Sequence, residues 1–230
     1  MNFDASYYPY ASRREVLYSR RGMVCTSQAL AAQAGLDMLK KGGNAVDAAL
    51  ATAISLVVLE PTSNGLGSDA FALIWIKDKL YGINGSGWSP AGISREAVAA
   101  AGHTDMPSRG WIPVMVPGAP AAWAAVHQRF GRLPFADLFE PAIGYAEDGY
   151  AVQPTVAAQL EESWHDFAAY KNEKAFAGLF STFFPKGRAH RVGEIMRLPD
   201  HAKSLRLLRD SHCQALYTGE LAQAVDDWSK

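Results

Sequence analysis

Cysteine is nearly absent from this chain. Only Cys25 and Cys213 occur in 230 residues, and they form neither a CxxC pair nor a metal-ligand spacing. That excludes a disulfide scaffold and a zinc module. Cys25 sits in the apolar run Met23–Cys25 and reads as a small buried hydrophobe. Cys213 follows a polar stretch and reads as an exposed thiol. Both suit a reducing compartment. An excess of one charge is also missing. With 22 Lys and Arg against 23 Asp and Glu, the net charge is −1, and nothing points to nucleic acid or an anionic membrane surface. Ser12-Arg13-Arg14-Glu15-Val16-Leu17 looks like a twin-arginine signal, but the charged Tyr18-Ser19-Arg20-Arg21-Gly22 stands where an apolar region is needed. The expected location is therefore cytoplasmic.

Several catalytic signatures are lacking too. The six histidines make no HxH, HExxH or Cys/His cluster, so no metal site is expected. A Ser-His-Asp triad assembles by geometry and leaves no fixed spacing, but the GxSxG elbow that often presents its serine is missing. Gly65-Leu66-Gly67-Ser68-Asp69-Ala70 fits GxGxxA, a permitted dinucleotide fingerprint. That motif needs a strand before it and a helix after it, and here the order is reversed. No cofactor is expected.

What is present is an apolar chain, 49% hydrophobic and 20% charged, ample for a sizeable core. Residues 1–21 form an aromatic, basic arm without periodicity. Gly22–Ser27 reads as a short strand. Gln28–Lys41 has helical spacing and stops at Gly42-Gly43. Asn44 caps the next helix, Ala45–Leu59, with Asp47 in its first turn. This helix is apolar almost all round and too short for a bilayer, so it should be a core helix.

Phe71–Lys77, apolar on both faces, reads as a strand covered on each side. Leu80–Asn84 is its antiparallel partner, and a loop follows from Gly85 to Gly92. Further helices are expected over Ser94–Ala101, Ala119–Phe130, Phe135–Leu138, Pro141–Glu147, Thr155–Trp164, Asp200–Asp210 and Gly219–Lys230. Gly102–Pro113 is a long loop, and Lys171–Glu194 reads as a solvated one. The order helix, helix, strand, strand suits a layered α+β domain with an antiparallel sheet.

Three ordered segments carry a resemblance. They are Lys41–Leu59, opening KGGNAVDAAL; Glu60–Ile76, EPTSNGLGSDAFALIWI; and Val116–Ile143, VPGAPAAWAAVHQRFGRLPFADLFEPAI. GYAVQP (149–154) and LYTGELAQAV (216–225) extend it. The chain resembles the γ-glutamyltransferase family of N-terminal-nucleophile hydrolases, and its Ser68-Asp69 turn is nearer a branch labelled cephalosporin-acylase-like. The resemblance implies the N-terminal portion of an αββα four-layer sandwich. Residues 1–230 would then be the large-subunit part of one domain, incomplete without a C-terminal half.

It also implies an autoprocessing amide hydrolase or acyl transferase. The nucleophile is a threonine freed as a new N-terminus, whose α-amine serves as base for its own hydroxyl. No threonine here lies in such a motif, so no catalytic residue is expected in this chain. The implied partners are a small amide substrate and the small subunit of the same precursor, with a homo-oligomer left open. The other reading is a non-catalytic homologue or scaffold.

The family's arginine, which clamps a substrate α-carboxylate, falls on Ser86 in Asn84-Gly85-Ser86-Gly87-Trp88-Ser89-Pro90. Arg109 is either a replacement cation or a solvated loop residue. Asp69 either faces the substrate or caps its turn. Trp88 either lines an acyl pocket or packs in the core.

Overall fold

A computed structural model describes residues 16–230. Most of the N-terminal arm, and the start of the twin-arginine resemblance, lie outside the described residues. Two helices organise the rest. In α1 (Ala29–Lys40), Gln28 caps the start by accepting from Leu30 N–H at 2.6 Å and Ala31 N–H at 3.1 Å. Gly42, at φ 91°, takes the left-handed turn that ends it. Helix α2 (Ala45–Leu59) follows and is buried along most of its length, Asp47, Thr52 and Ser55 included, as its largely apolar composition requires. Gly35 lets the two helices approach, because a side chain there would strike Thr52 and the Ala48 carbonyl.

Asn44 and Asp47 form a reciprocal capping box at the start of α2. Asp47 has no exposed surface, yet its carboxylate is well satisfied. It accepts from Asn44 N–H at 2.8 Å, Arg132 N–H at 2.9 Å and Leu133 N–H at 3.3 Å. The Asn44 side chain donates to Phe130 O at 2.7 Å. One cap thus ties α2 to a segment more than 80 residues away.

Strands β1 (Ala70–Ile76) and β2 (Lys79–Gly85) form an antiparallel hairpin, with Ala70 opposite Gly85 and Ile76 opposite Lys79. Lys77 and Asp78, at φ 50° and 57°, make its two-residue turn. Ala70 and Ile74 pack against the core. The other face is bare: Phe71, Leu73 and Trp75 are 64%, 80% and 67% exposed. The expectation of cover on both sides is thus met on one side only, because the described residues place helices against one face of the hairpin and leave the other exposed.

The remaining helices are α3 (Arg95–Ala100), α4 (Ala119–Phe130), α5 (Glu140–Asp148), α6 (Pro154–Phe167), α7 (Ala177–Phe183), α8 (Pro199–Asp210), α9 (Ala215–Thr218) and α10 (Glu220–Ser229). A 3₁₀ turn spans Phe135–Leu138, and β3 (Tyr150–Ala151) pairs with β4 (Ile195–Met196). α2 packs against α1, α4 and α5, and α5 packs in turn on α8. Among the described residues no helix is long and apolar enough to cross a membrane.

Several expectations are corrected. Gly22–Ser27 is not a strand, since no described edge pairs with it. Cys25 is exposed on that segment, whereas Cys213 is fully buried and its thiol is pushed up to about 12 by burial. Lys171–Glu194 is not all loop. It holds a 3₁₀ turn at Lys174–Phe176 and then α7, because Phe176 packs on Phe167, and Phe180 and Phe184 on Trp164. The mixed charge of the segment hides that aromatic spacing. Finally, the chain pairs two short strands, β3 and β4, that its sequence does not announce.

His190 and His201 give this fold a pH dependence. Burial pushes both imidazoles below the ordinary value of 6.5, chiefly by desolvating the cation. Lys186 adds to this at His190 while Glu194 opposes it; Asp200 opposes it at His201. Below 6.5 the unfolded chain therefore binds more protons than the folded one, so stability falls as pH drops from 7 toward 5. Urea midpoints across that range should decline, and the decline should shrink in a His190→Gln/His201→Gln variant. An unchanged slope would contradict this account.

Candidate active site

Three backbone segments meet beside the hairpin. The first is the turn Gly65–Asp69 that feeds β1. Ser68 closes it, its hydroxyl accepting from Gly65 N–H at 2.9 Å. The second is the loop after β2, Ser86–Trp88, where Ser86 N–H donates to Asn84 Oδ1 at 2.9 Å. The third is Val116–Gly118, which leads into α4. Ser68 O accepts from both Gly118 N–H at 3.1 Å and Ala119 N–H at 2.9 Å, and Trp88 O accepts from Val116 N–H at 2.8 Å.

Two glycines make this convergence possible. A side chain at Gly118 would collide with the Gly85 carbonyl, and one at Gly87, already at φ 81°, would collide with the Val116 carbonyl. Pro120, near the start of α4, fits a first turn that has spare N–H groups.

The second and third segments enclose a groove of about 690 Å³, with α4 and the α9 region closing it. Its lining includes Ser86, Gly87, Trp88, Val116, Pro117, Gly118, Gln214 and Tyr217, and none of its lining residues carries a formal charge. Its polar groups are the peptide groups, the exposed Ser86 hydroxyl, the Asn84 and Gln214 amides, the Trp88 indole N–H and the Tyr217 hydroxyl. Tyr217 bridges the rim: its hydroxyl donates to Pro117 O at 2.7 Å and accepts from Ala121 N–H at 3.1 Å. Burial raises its pKa, so the phenol stays protonated at neutral pH.

The structure separates the four residues expected at a site. Ser86 and Trp88 both line the groove. Trp88 is 82% exposed and is no part of the core. Asp69 is exposed in the first segment and does not line the groove; Ser68, not Asp69, closes the turn.

Arg109 does not line the groove either. Its guanidinium donates to Asp166 O at 3.1 Å, sits 3.7 Å from the Asp166 carboxylate, and stacks 4.7 Å from the Phe167 ring centre. Arg109 pins the Gly102–Pro113 loop to α6, because the aromatic residues there offer a better seat than solvent.

Tyr217, Pro117, Gly118 and Gln214 are lining residues that no catalytic pattern reveals. Only the Gly-Ala-Pro start of α4 hints that free backbone groups gather there. Among the described residues no cluster of His, Cys, Asp or Glu is arranged to hold a metal.

Comparison with known proteins places this arrangement. The family model described as Gamma-glutamyltranspeptidase matches residues 31–228. The crystal structure of cephalosporin acylase from Bacillus halodurans superposes with a TM-score of 0.92 at 52% identity, covering 99% of this chain and 43% of that one. The glutathione hydrolase-like YwrD proenzyme of Bacillus subtilis is 36% identical over 88% of this chain and 38% of its own length. The acylase ACY 1 proenzyme of Pseudomonas sp. (strain SE83) is 33% identical over 90% of this chain and 38% of its own. The chain thus spans about two fifths of the length of these relatives.

Proposed function

This chain belongs to the γ-glutamyltranspeptidase family, and from that premise we propose that it is the N-terminal part of an N-terminal-nucleophile amide hydrolase or acyl transferase. The threonine nucleophile lies in the part of the precursor that the longer relatives have and this chain does not span. Its hydroxyl attacks the substrate amide carbon while its own α-amine takes the proton, and that proton passes to the nitrogen as the C–N bond breaks and the amine product leaves. Water or a second amine then resolves the acyl-enzyme. This chain's share of the work is to bind the acyl group. The bare face of β1, with Phe71, Leu73 and Trp75, is where the C-terminal subunit would pack, since that much aligned apolar surface needs cover.

The observation that carries the binding role is the groove itself. Segments far apart in the chain build it by backbone contacts, and its lining is uncharged. A substrate carboxylate would find no guanidinium there. Ser86 occupies the position that the resemblance gives to an arginine clamp. The acyl group held against this lining is therefore neutral along most of its length.

Replacing Ser86 with Arg in the complete precursor tests this. A charge-assisted pair exceeds a serine hydrogen bond by about 1 kcal/mol, so kcat/KM for glutaryl anilide should rise about fivefold to tenfold relative to butyryl anilide. An unchanged ratio between the two acyl groups would remove Ser86 from the pocket.

A further inference from the structure

Tyr217 belongs to the short helix α9, yet its hydroxyl reaches the α4 turn 100 residues earlier in the chain. The anchoring of α9 is firm. Ser211 Oγ accepts from Ala215 N–H at 3.0 Å and donates to Leu207 O at 2.6 Å, while Cys213 and Ala215 are buried. The Tyr217 hydroxyl is thus carried on a fixed extension of α8.

The first turn of α4 needs such a partner. Its leading N–H groups have no intrahelical acceptor. Gly118 and Ala119 donate to Ser68 O, Pro120 has no N–H, and Ala121 donates to Tyr217. The same hydroxyl holds the Pro117 carbonyl. No side chain wedges the two walls of the groove apart, because Gly87 and Gly118 sit where they touch. Val116 N–H to Trp88 O joins the two walls directly, Gly118 and Ala119 tie the third segment to Ser68, and the two hydrogen bonds of Tyr217 tie that same segment to α9, which closes the groove.

We propose that Tyr217 is a positioning residue that anchors the Val116–Gly118 wall against α9, the element that closes the groove, and so sets affinity for a neutral acyl group. It touches no reacting atom. The proposal rests on the reading that this groove is the acyl pocket.

Tyr217→Phe keeps the ring and deletes both hydrogen bonds. In the complete precursor, KM for butyryl anilide should rise about fivefold to tenfold while kcat stays within about twofold, as expected when binding rather than the chemical step is lost. Tyr150→Phe is the control. It deletes a buried hydrogen bond to Val58 O, made at 2.7 Å within the core, and should lower Tm without moving KM. Trp88→Ala reports on the groove itself and should raise KM.

A Tyr217→Phe KM within about twofold of the parent overturns the positioning role, and so does an equal KM rise in Tyr150→Phe. If Trp88→Ala raises KM and Tyr217→Phe does not, the positioning role fails and the groove stands as the pocket. If neither raises KM, both fail.

Discussion

Replacing Asp47 with alanine is expected to destabilise the fold by about 3–5 kcal/mol, a large share of any domain's stability. The carboxylate is fully buried and accepts from Asn44, Arg132 and Leu133 N–H groups. Alanine would strand those donors at the junction of α2 with the segment after α4. Asp47→Asn keeps one acceptor oxygen but sets an amide against N–H donors, so it should recover only part of the loss. The urea midpoint should fall for both variants with little change in m-value. A loss under about 1 kcal/mol for Asp47→Ala would mean that the cap is energetically isolated from the Arg132 turn.

The second large effect concerns activity. The 230-residue chain by itself should hydrolyse γ-glutamyl, glutaryl and butyryl anilides no faster than buffer. On the proposed reading it holds a binding groove without a nucleophile, and enzymes of this class draw on covalent catalysis for much of rate enhancements of about a millionfold or more. The complete precursor should show turnover after it cleaves itself. Purified chain that retains turnover after repeated chromatography, with a pH profile of its own, would place a nucleophile within these residues and overturn the reading. A precursor that never cleaves or turns over would favour the scaffold alternative.

Much of this molecule follows from local rules. The spacing of Leu30, Ala34 and Met38 and the stop at Gly42 define α1. Asn44 with Asp47 defines the start of α2, because a cap is a contract between residues three apart. Lys77-Asp78 between two apolar runs defines the hairpin. The family, too, is legible in three short ordered segments, since they record both composition and order. Ser86 and Trp88 could be singled out because a linear motif carried them to one loop.

Long-range contacts decided the rest. Asp47 reads locally as a cap, but only folding brings Arg132 and Leu133 to its carboxylate. Cys25 and Cys213 exchange their expected environments because burial depends on what packs above a segment, which neighbouring residue types do not encode. Arg109 sits in a loop that places no limit on its direction, and the Phe167 ring and Asp166 claim it. Tyr217 lies in a stretch with no catalytic pattern, and its role appears only when α8 and α9 carry it to Pro117. Hydrogen bonds within a turn are dictated by spacing. Those across 100 residues wait on the packing of whole helices, which is why most of the helices and the hairpin were readable from the chain and the groove was not.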